Sequence, residues 1–195
     1  MKSIFSRMTL VLAILSVFVL QLAAHHATQF LNQAMEINTA EVQLGEMAAN
    51  KAQDSRVRDY ASMIVRDHNQ TLDKMRELWD ARSKATGTKT SPKVQINAEH
   101  KRVSDRLSKL SGEQFDREFM ATMVRDHQAA IKAFELHSHA HGYGANSKTS
   151  SNSKVDYMKD TDTAQFATET LPTLREHLQK AQNIVKEMRP STSTQ

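Results

Sequence analysis

The chain has 195 residues, enough for one domain with a sizeable core, and 26 basic against 22 acidic residues leave a net charge of +4. Five Gly and three Pro are too few for a β-rich or loop-rich fold, and the absence of Cys excludes disulfides, thiol redox chemistry and thiolate metal sites. Aromatics make up 6% and no basic stripe carries interleaved aromatics, so nucleic acid is not an expected partner.

Lys2 and Arg7 bracket the approach to an apolar run from Leu10 to Leu20, and Gln21-Leu22-Ala23-Ala24 follows it. Positive, then apolar, then small is the order of a secretory signal peptide, so residues 1–24 are expected to be a signal cleaved after Ala24. The alternative is an uncleaved anchor, since the largely apolar stretch from Met8 to Ala24, about 17 residues, lies at the lower limit for a membrane span. The expected location is the periplasm or the extracellular space, with an inner-membrane anchor as the alternative. Membrane association is expected only through this segment. Protein partners and oligomeric state are not legible.

Beyond it, apolar residues recur at helical spacing. A first helix over about Thr28 to Asn50 carries Phe30, Ala34, Ile37, Leu44 and Ala48 on one face, and Glu41 interrupts that seam. Asp54 is placed to cap a second helix, which carries Val57, Ala61, Ile64, Met75 and Trp79 and ends near Ala85 before Thr86-Gly87-Thr88. A short helix over about Asn97 to Leu110 bridges to a third long one, which opens at Ser111-Gly112-Glu113 and carries Phe115, Phe119, Met123, Ala130 and Phe134. Residues 142–154 are Gly-, Ser- and Asn-rich and are expected to form a flexible loop. The fourth helix, about Val155 to Arg189, contains Pro172, where a kink or bulge is expected. Residues 191–195 are read as a disordered tail, leaving 25–190 as the folded domain.

The second and third long helices echo each other. Ile64-Val65-Arg66-Asp67-His68 aligns with Met123-Val124-Arg125-Asp126-His127, and Tyr60 with Phe119. Two similar hairpins suggest an all-α, ferritin-like antiparallel four-helix bundle with a short extra helix between its second and third long helices. The linker from Ala85 to Leu110 is long enough to cross over between the pairs.

Several of these elements carry a family resemblance. Glu41-Val42-Gln43-Leu44-Gly45, Met63-Ile64-Val65-Arg66-Asp67-His68, Phe115-Asp116, Met123-Val124-Arg125-Asp126-His127 and Leu171-Pro172-Thr173-Leu174-Arg175-Glu176-His177-Leu178 resemble the bacterial family called domain of unknown function 4142. The resemblance spans about Thr28 to Met188. It implies a ferritin-like fold and an exported protein, and it implies no particular activity. The His-rich end of the third helix and the Ser-rich stretch after it depart from the family pattern.

Each long helix sets one ionisable residue on or beside its seam: Glu41, His68, His127 and His177. If the helices alternate up and down, the four residues lie roughly 12 to 16 positions from one pole, a spread of about 6 Å. One carboxylate and three imidazoles suit a single divalent transition metal, whether Zn, Cu, Fe or Mn. A ferritin-type di-iron site needs Glu-x-x-His pairs, and none occurs, because Val65, Val124 and Leu174 stand three before the seam histidines. Asp67 and Asp126 point about 100° away from the neighbouring histidines and are expected to make ion pairs or to support them rather than ligate. His137 and His141, one turn apart, form a weaker surface candidate, against the plainer reading of imidazoles beside a helix C-terminus.

No catalytic residues are expected: there is no Gly-x-Ser-x-Gly, no Gly-rich phosphate loop and no Cys. Three functional readings stand, one of them a metal-dependent oxidoreductase. Another is an exported metal-binding bundle in metal handling or stress protection. The third is a non-catalytic structural or interaction protein of the envelope, whose buried Glu/His layer only fixes helix register.

Overall fold

The computed structural model describes residues 2–87, 92, 94–140 and 158–188, with side chains over 26–85, 87, 92, 94–139 and 161–188. The described chain forms five α-helices: α1 (Lys2–Lys51), α2 (Ser55–Thr86), α3 (Ala98–Ser108), α4 (Gly112–Ala140) and α5 (Met158–Glu187). No strand occurs among the described residues.

Local chemistry sets the boundaries. With no Pro before Lys51 and no Gly before Gly45, nothing breaks α1, so its backbone runs unbroken from the expected signal segment into the bundle. Asp54 caps α2 by accepting from the Arg56 amide, and Gly87, at φ 67°, ends it in the left-handed conformation that suits a residue without Cβ. Asn97 caps α3 through the amides of Glu99 and His100. α5 continues through Pro172 as one helix. The expected loop over 142–154 and tail over 191–195 lie outside the described residues.

The helices pack as two hairpins, α1 with α2 and α4 with α5. Directions differ from simple alternation. The Asp116 carboxylate, near the start of α4, accepts from the amides of Gln53 (3.0 Å) and Asp54 (2.7 Å) in the turn between α1 and α2. Arg56 at the start of α2 pairs with Glu187 at the end of α5 (2.8 Å). So α1 and α5 end at the pole where α2 and α4 begin, and the order is up, down, down, up. The linker makes this possible by running the bundle's height backwards. Asn97 and His100 are held to Glu36 midway along α1, and Lys51 reaches the Leu107 carbonyl (3.3 Å) and that of Ser108 at the upper end of α3. It is a crossover, as in ferritin-like folds.

Two apolar cores fill the bundle. The upper one centres on Leu44, Ile64, Phe115, Phe119, Met120 and Met123. The lower one centres on Leu31, Met35, Met75, Trp79, Phe134 and Phe166. Nearly all the seam residues expected from spacing are buried, but Ile37 is only half-buried and Asn38 takes the core position beside it.

Candidate metal centre

Between the two cores lies a polar layer, with one residue from each long helix. His68 follows Ile64 and precedes Leu72 on the buried stripe of α2, His127 lies between Met123 and Ala130 on α4, and His177 between Leu174 and Ala181 on α5. Glu41 occupies the matching position on α1. All four side chains are buried, at no more than 4% exposure. The up-down-down-up order still brings them to one level, because each lies roughly 10 to 15 residues from the pole they share.

Glu41 links two of the rings. Its Oε2 is 3.0 Å from His68 Nε2 and its Oε1 is 3.5 Å from His127 Nδ1. Glu41 is therefore the partner of the His68 ring at Nε2, while His68 Nδ1 is buried without a hydrogen-bond partner. His127 is held by its own helix: Nδ1–H donates to the Met123 carbonyl at 2.9 Å. His177 is held from across the bundle, where Nε2–H donates to Asp67 Oδ2 at 3.1 Å. Carbonyl and carboxylate oxygens only accept, so they fix both tautomers. The remaining nitrogens, His127 Nε2 and His177 Nδ1, then present lone pairs to each other 3.3 Å apart.

That arrangement fits a cation. Two nitrogens bound to one tetrahedral ion at about 2.0–2.1 Å stand about 3.4 Å from each other. His68, His127 and His177 each offer a ligand atom, all within 4.8 Å of one another, so the cluster can hold one ion with little rearrangement. Glu41 is not brought into that group of three: its Oε1 is buried without a hydrogen-bond partner and lies 3.5 Å from His127 Nδ1, the nitrogen already held by Met123, not from the free Nε2.

Electrostatics favour ligating forms of the rings. Burial pushes His127 below the ordinary imidazole value, and burial together with the charges of its two neighbours pushes His177 down to about 4. For Glu41, burial works upward, but positive charge on His127, His68 and His177 overrides it and lowers the carboxyl to about 2. These directions compete, since burial disfavours His127 and His177, two of the rings that hold Glu41 down, as cations. Desolvation of the rings is the firmer cause because it does not depend on a neighbour's protonation, and neutral imidazole is the form that binds metals.

The Asp-His motifs place their two carboxylates differently. Asp67 supports His177 and also pairs with Arg66 (3.0 Å). Asp126 keeps a buried Oδ2 without a partner, and burial, then the Glu41 charge, raise its carboxyl to about 6. Two layer neighbours carry no metal-ligand motif of their own. Asn38, one turn from Glu41, is buried with Oδ1 unpartnered, and so is the Tyr60 hydroxyl, whose ionisation is suppressed by burial and by Glu41. The only signal for Asn38 was its spacing of three from Glu41.

His137 is not a surface residue. It turns inward, stacks on Phe30 with ring centroids 3.8 Å apart, and brings Nε2 to 2.9 Å from Thr163 Oγ1. An apolar ring face and a hydroxyl partner make the inward rotamer favourable. His141 lies outside the described residues.

Fold and layer together define a class: a ferritin-like helical bundle whose core carries histidines instead of paired Glu-x-x-His motifs. The sequence profile of the domain of unknown function DUF4142 matches residues 20–184, and the chain belongs to that family. The crystal structure of a DUF305 fragment from Deinococcus radiodurans is similar in fold, with a TM-score of 0.60 at 19% identity over 83% of this chain and 95% of that one. No curated protein matches the chain.

Proposed function

We propose that the protein is an exported helical bundle that binds one transition-metal ion through His68, His127 and His177, with Glu41 beside them, in metal handling or protection from stress. The observation that carries this reading is the 3.3 Å approach of His127 Nε2 to His177 Nδ1, two lone pairs whose opposite nitrogens are already committed as donors. Buried acceptors left facing each other are costly unless a proton or a cation lies between them. The buried, unpartnered Nδ1 of His68 adds to that demand. A layer built only to fix helix register would give the two facing nitrogens a donor, and the His127–His177 pair leaves both as acceptors.

With a metal bound, the ion would supply a positive charge and Lewis acidity in a dry interior. The chain's own residues do the holding. Asp67 and the Met123 carbonyl orient two rings, and the two apolar cores exclude water from above and below. A single carboxylate in the layer does not build the bridging set of a di-iron ferroxidase, so that chemistry is not proposed. Export rests on Lys2, Arg7 and the apolar run before Ala24.

The test is elemental analysis of protein purified after expression with its N-terminal segment. About one equivalent of a transition metal, reduced severalfold in a His127→Ala, His177→Ala double variant, is expected. Metal content no higher than in the variant contradicts the proposal.

A further inference from the structure

The site is sealed on nearly every side, so an ion needs a way in. The four layer side chains are at most 4% exposed. Asp67 is different: it hydrogen-bonds a ligand ring directly, yet its side chain is 25% exposed at the seam between α2 and α5. Beside it on α5 stands Glu176, 61% exposed and electrostatically coupled to both His177 and Asp67. Glu176, Asp67 and His177 thus form a gradient of oxygen and nitrogen donors from open solvent to the layer. Asp126, the counterpart of Asp67 in the sequence echo, offers no such path, because its inner oxygen is buried and has no bonded partner.

We infer that the α2/α5 seam at Asp67 is the access route for a divalent cation, with Asp67, a partly exposed carboxylate in contact with the layer, drawing the ion from solvent toward it. The inference rests on the metal-binding reading and adds to it a residue that governs rate. Divalent cations bind hard carboxylate oxygens readily and exchange them fast, which suits a transfer ligand. Cation charge sits at the mouth as well: Arg66 pairs with Asp67 at 3.0 Å, and Lys180 pairs with Glu176 at 2.7 Å. These side chains are 62% and 47% exposed, so they are free to swing off their carboxylates when a divalent ion arrives. The seam is also built to open. Pro172, one turn before Glu176, has no N–H to bond the Thr168 carbonyl, so this part of α5 lacks one helix hydrogen bond.

The experiment is stopped-flow mixing of the purified full chain with Co(II) alone, following the visible absorption that tetrahedral Co(II) acquires. Asp67→Asn keeps an oxygen to accept from His177 Nε2 and removes the charge. It is expected to slow association about tenfold, the scale of electrostatic focusing at a cleft, and to slow dissociation with it. Arg66→Gln removes the competing cation at an exposed position, and it is expected to speed association severalfold. Unchanged association with faster dissociation in Asp67→Asn means the residue only orients the ring, and this overturns the inference. If Asp67→Asn does not fold, unchanged association in Arg66→Gln overturns it as well. A wild-type protein that develops no Co(II) band rejects the metal reading, and the access route falls with it.

Discussion

His127 Nε2 and His177 Nδ1 face each other between the paired helices α4 and α5 at 3.3 Å, each as an acceptor. The Met123 carbonyl and the Asp67 carboxylate take the only protons these neutral rings carry. Four helices are therefore packed around an electron-rich gap, and the behaviour of the protein toward protons, metals and mutations follows from it.

Acid should unfold the metal-free protein through these rings. His177 is held at about 4 in the fold against 6.5 for an ordinary imidazole, and His127 is displaced in the same direction. The unfolded chain takes up these protons first as pH falls, so their stabilising contribution is full above about 6.5 and is lost toward pH 4. Asp126 opposes this. Its folded carboxyl, at about 6 against 3.8, protonates first in the fold, so its contribution grows as pH falls through that window. Urea midpoints measured with chelator from pH 8 to 4 should fall for wild type, and more steeply for Asp126→Asn. The variant should gain on wild type at neutral pH and lose that gain below pH 4. A difference between the two that does not vary with pH contradicts the assignment.

Gly45 sets the distance between α1 and α2 one turn above Glu41. A Cβ there would lie 2.9 Å from Val65 Cγ2 and 3.3 Å from the Ala61 carbonyl oxygen. Gly45→Ala gains helix propensity but forces the helices apart, and overpacking of this kind costs about 1–3 kcal/mol. The same shift draws Glu41 away from His68. Thermal unfolding and a Co(II) titration of this variant should show lower stability and weaker binding together. A more stable variant with unchanged affinity would show that the contact relaxes freely.

Asp116 ties the two hairpins at the pole and stands far from the metal layer. It is buried and accepts from two backbone amides that have no helical partner. Asp116→Ala should cost about 2–4 kcal/mol, given about 1.5–3 for a hydrogen bond to a charged group and partial replacement by water. Urea unfolding should give the same loss with chelator and with Zn(II). A loss that depends on metal would mean the pole and the layer are coupled.

Much of this architecture is legible in the sequence. The Asp54 cap, the Gly87 stop and the stripe from Val57 to Trp79 follow from short-range chemistry and a period near 3.6. The common level of Glu41, His68, His127 and His177 rests on an alternation the bundle does not have, and it survives because each lies well inside its helix. The order of helix directions does not follow from the sequence, because a linker as long as 87–111 allows α4 to start at either pole. Asp116 decides between them, and its partners are amides more than sixty residues away. Asp67 bonding to His177 is equally hidden, since an off-stripe carboxylate meets whichever helix closes that seam. His137 reads as a C-terminal surface residue until Phe30 and Thr163 are brought against it.

The most direct test of the metal centre is a pair of melting curves for wild type and His127→Ala, one with chelator and one with Zn(II). An ion at a hundred times its Kd stabilises the fold by about 2.7 kcal/mol, roughly 5–10 °C for a domain of this size. Wild type should gain that shift and His127→Ala should lose most of it, so the variant's deficit is larger with Zn(II) than with chelator. Equal deficits under both conditions, repeated with Cu(II) and Mn(II), would contradict the account and leave the layer as a hydrogen-bonded register device.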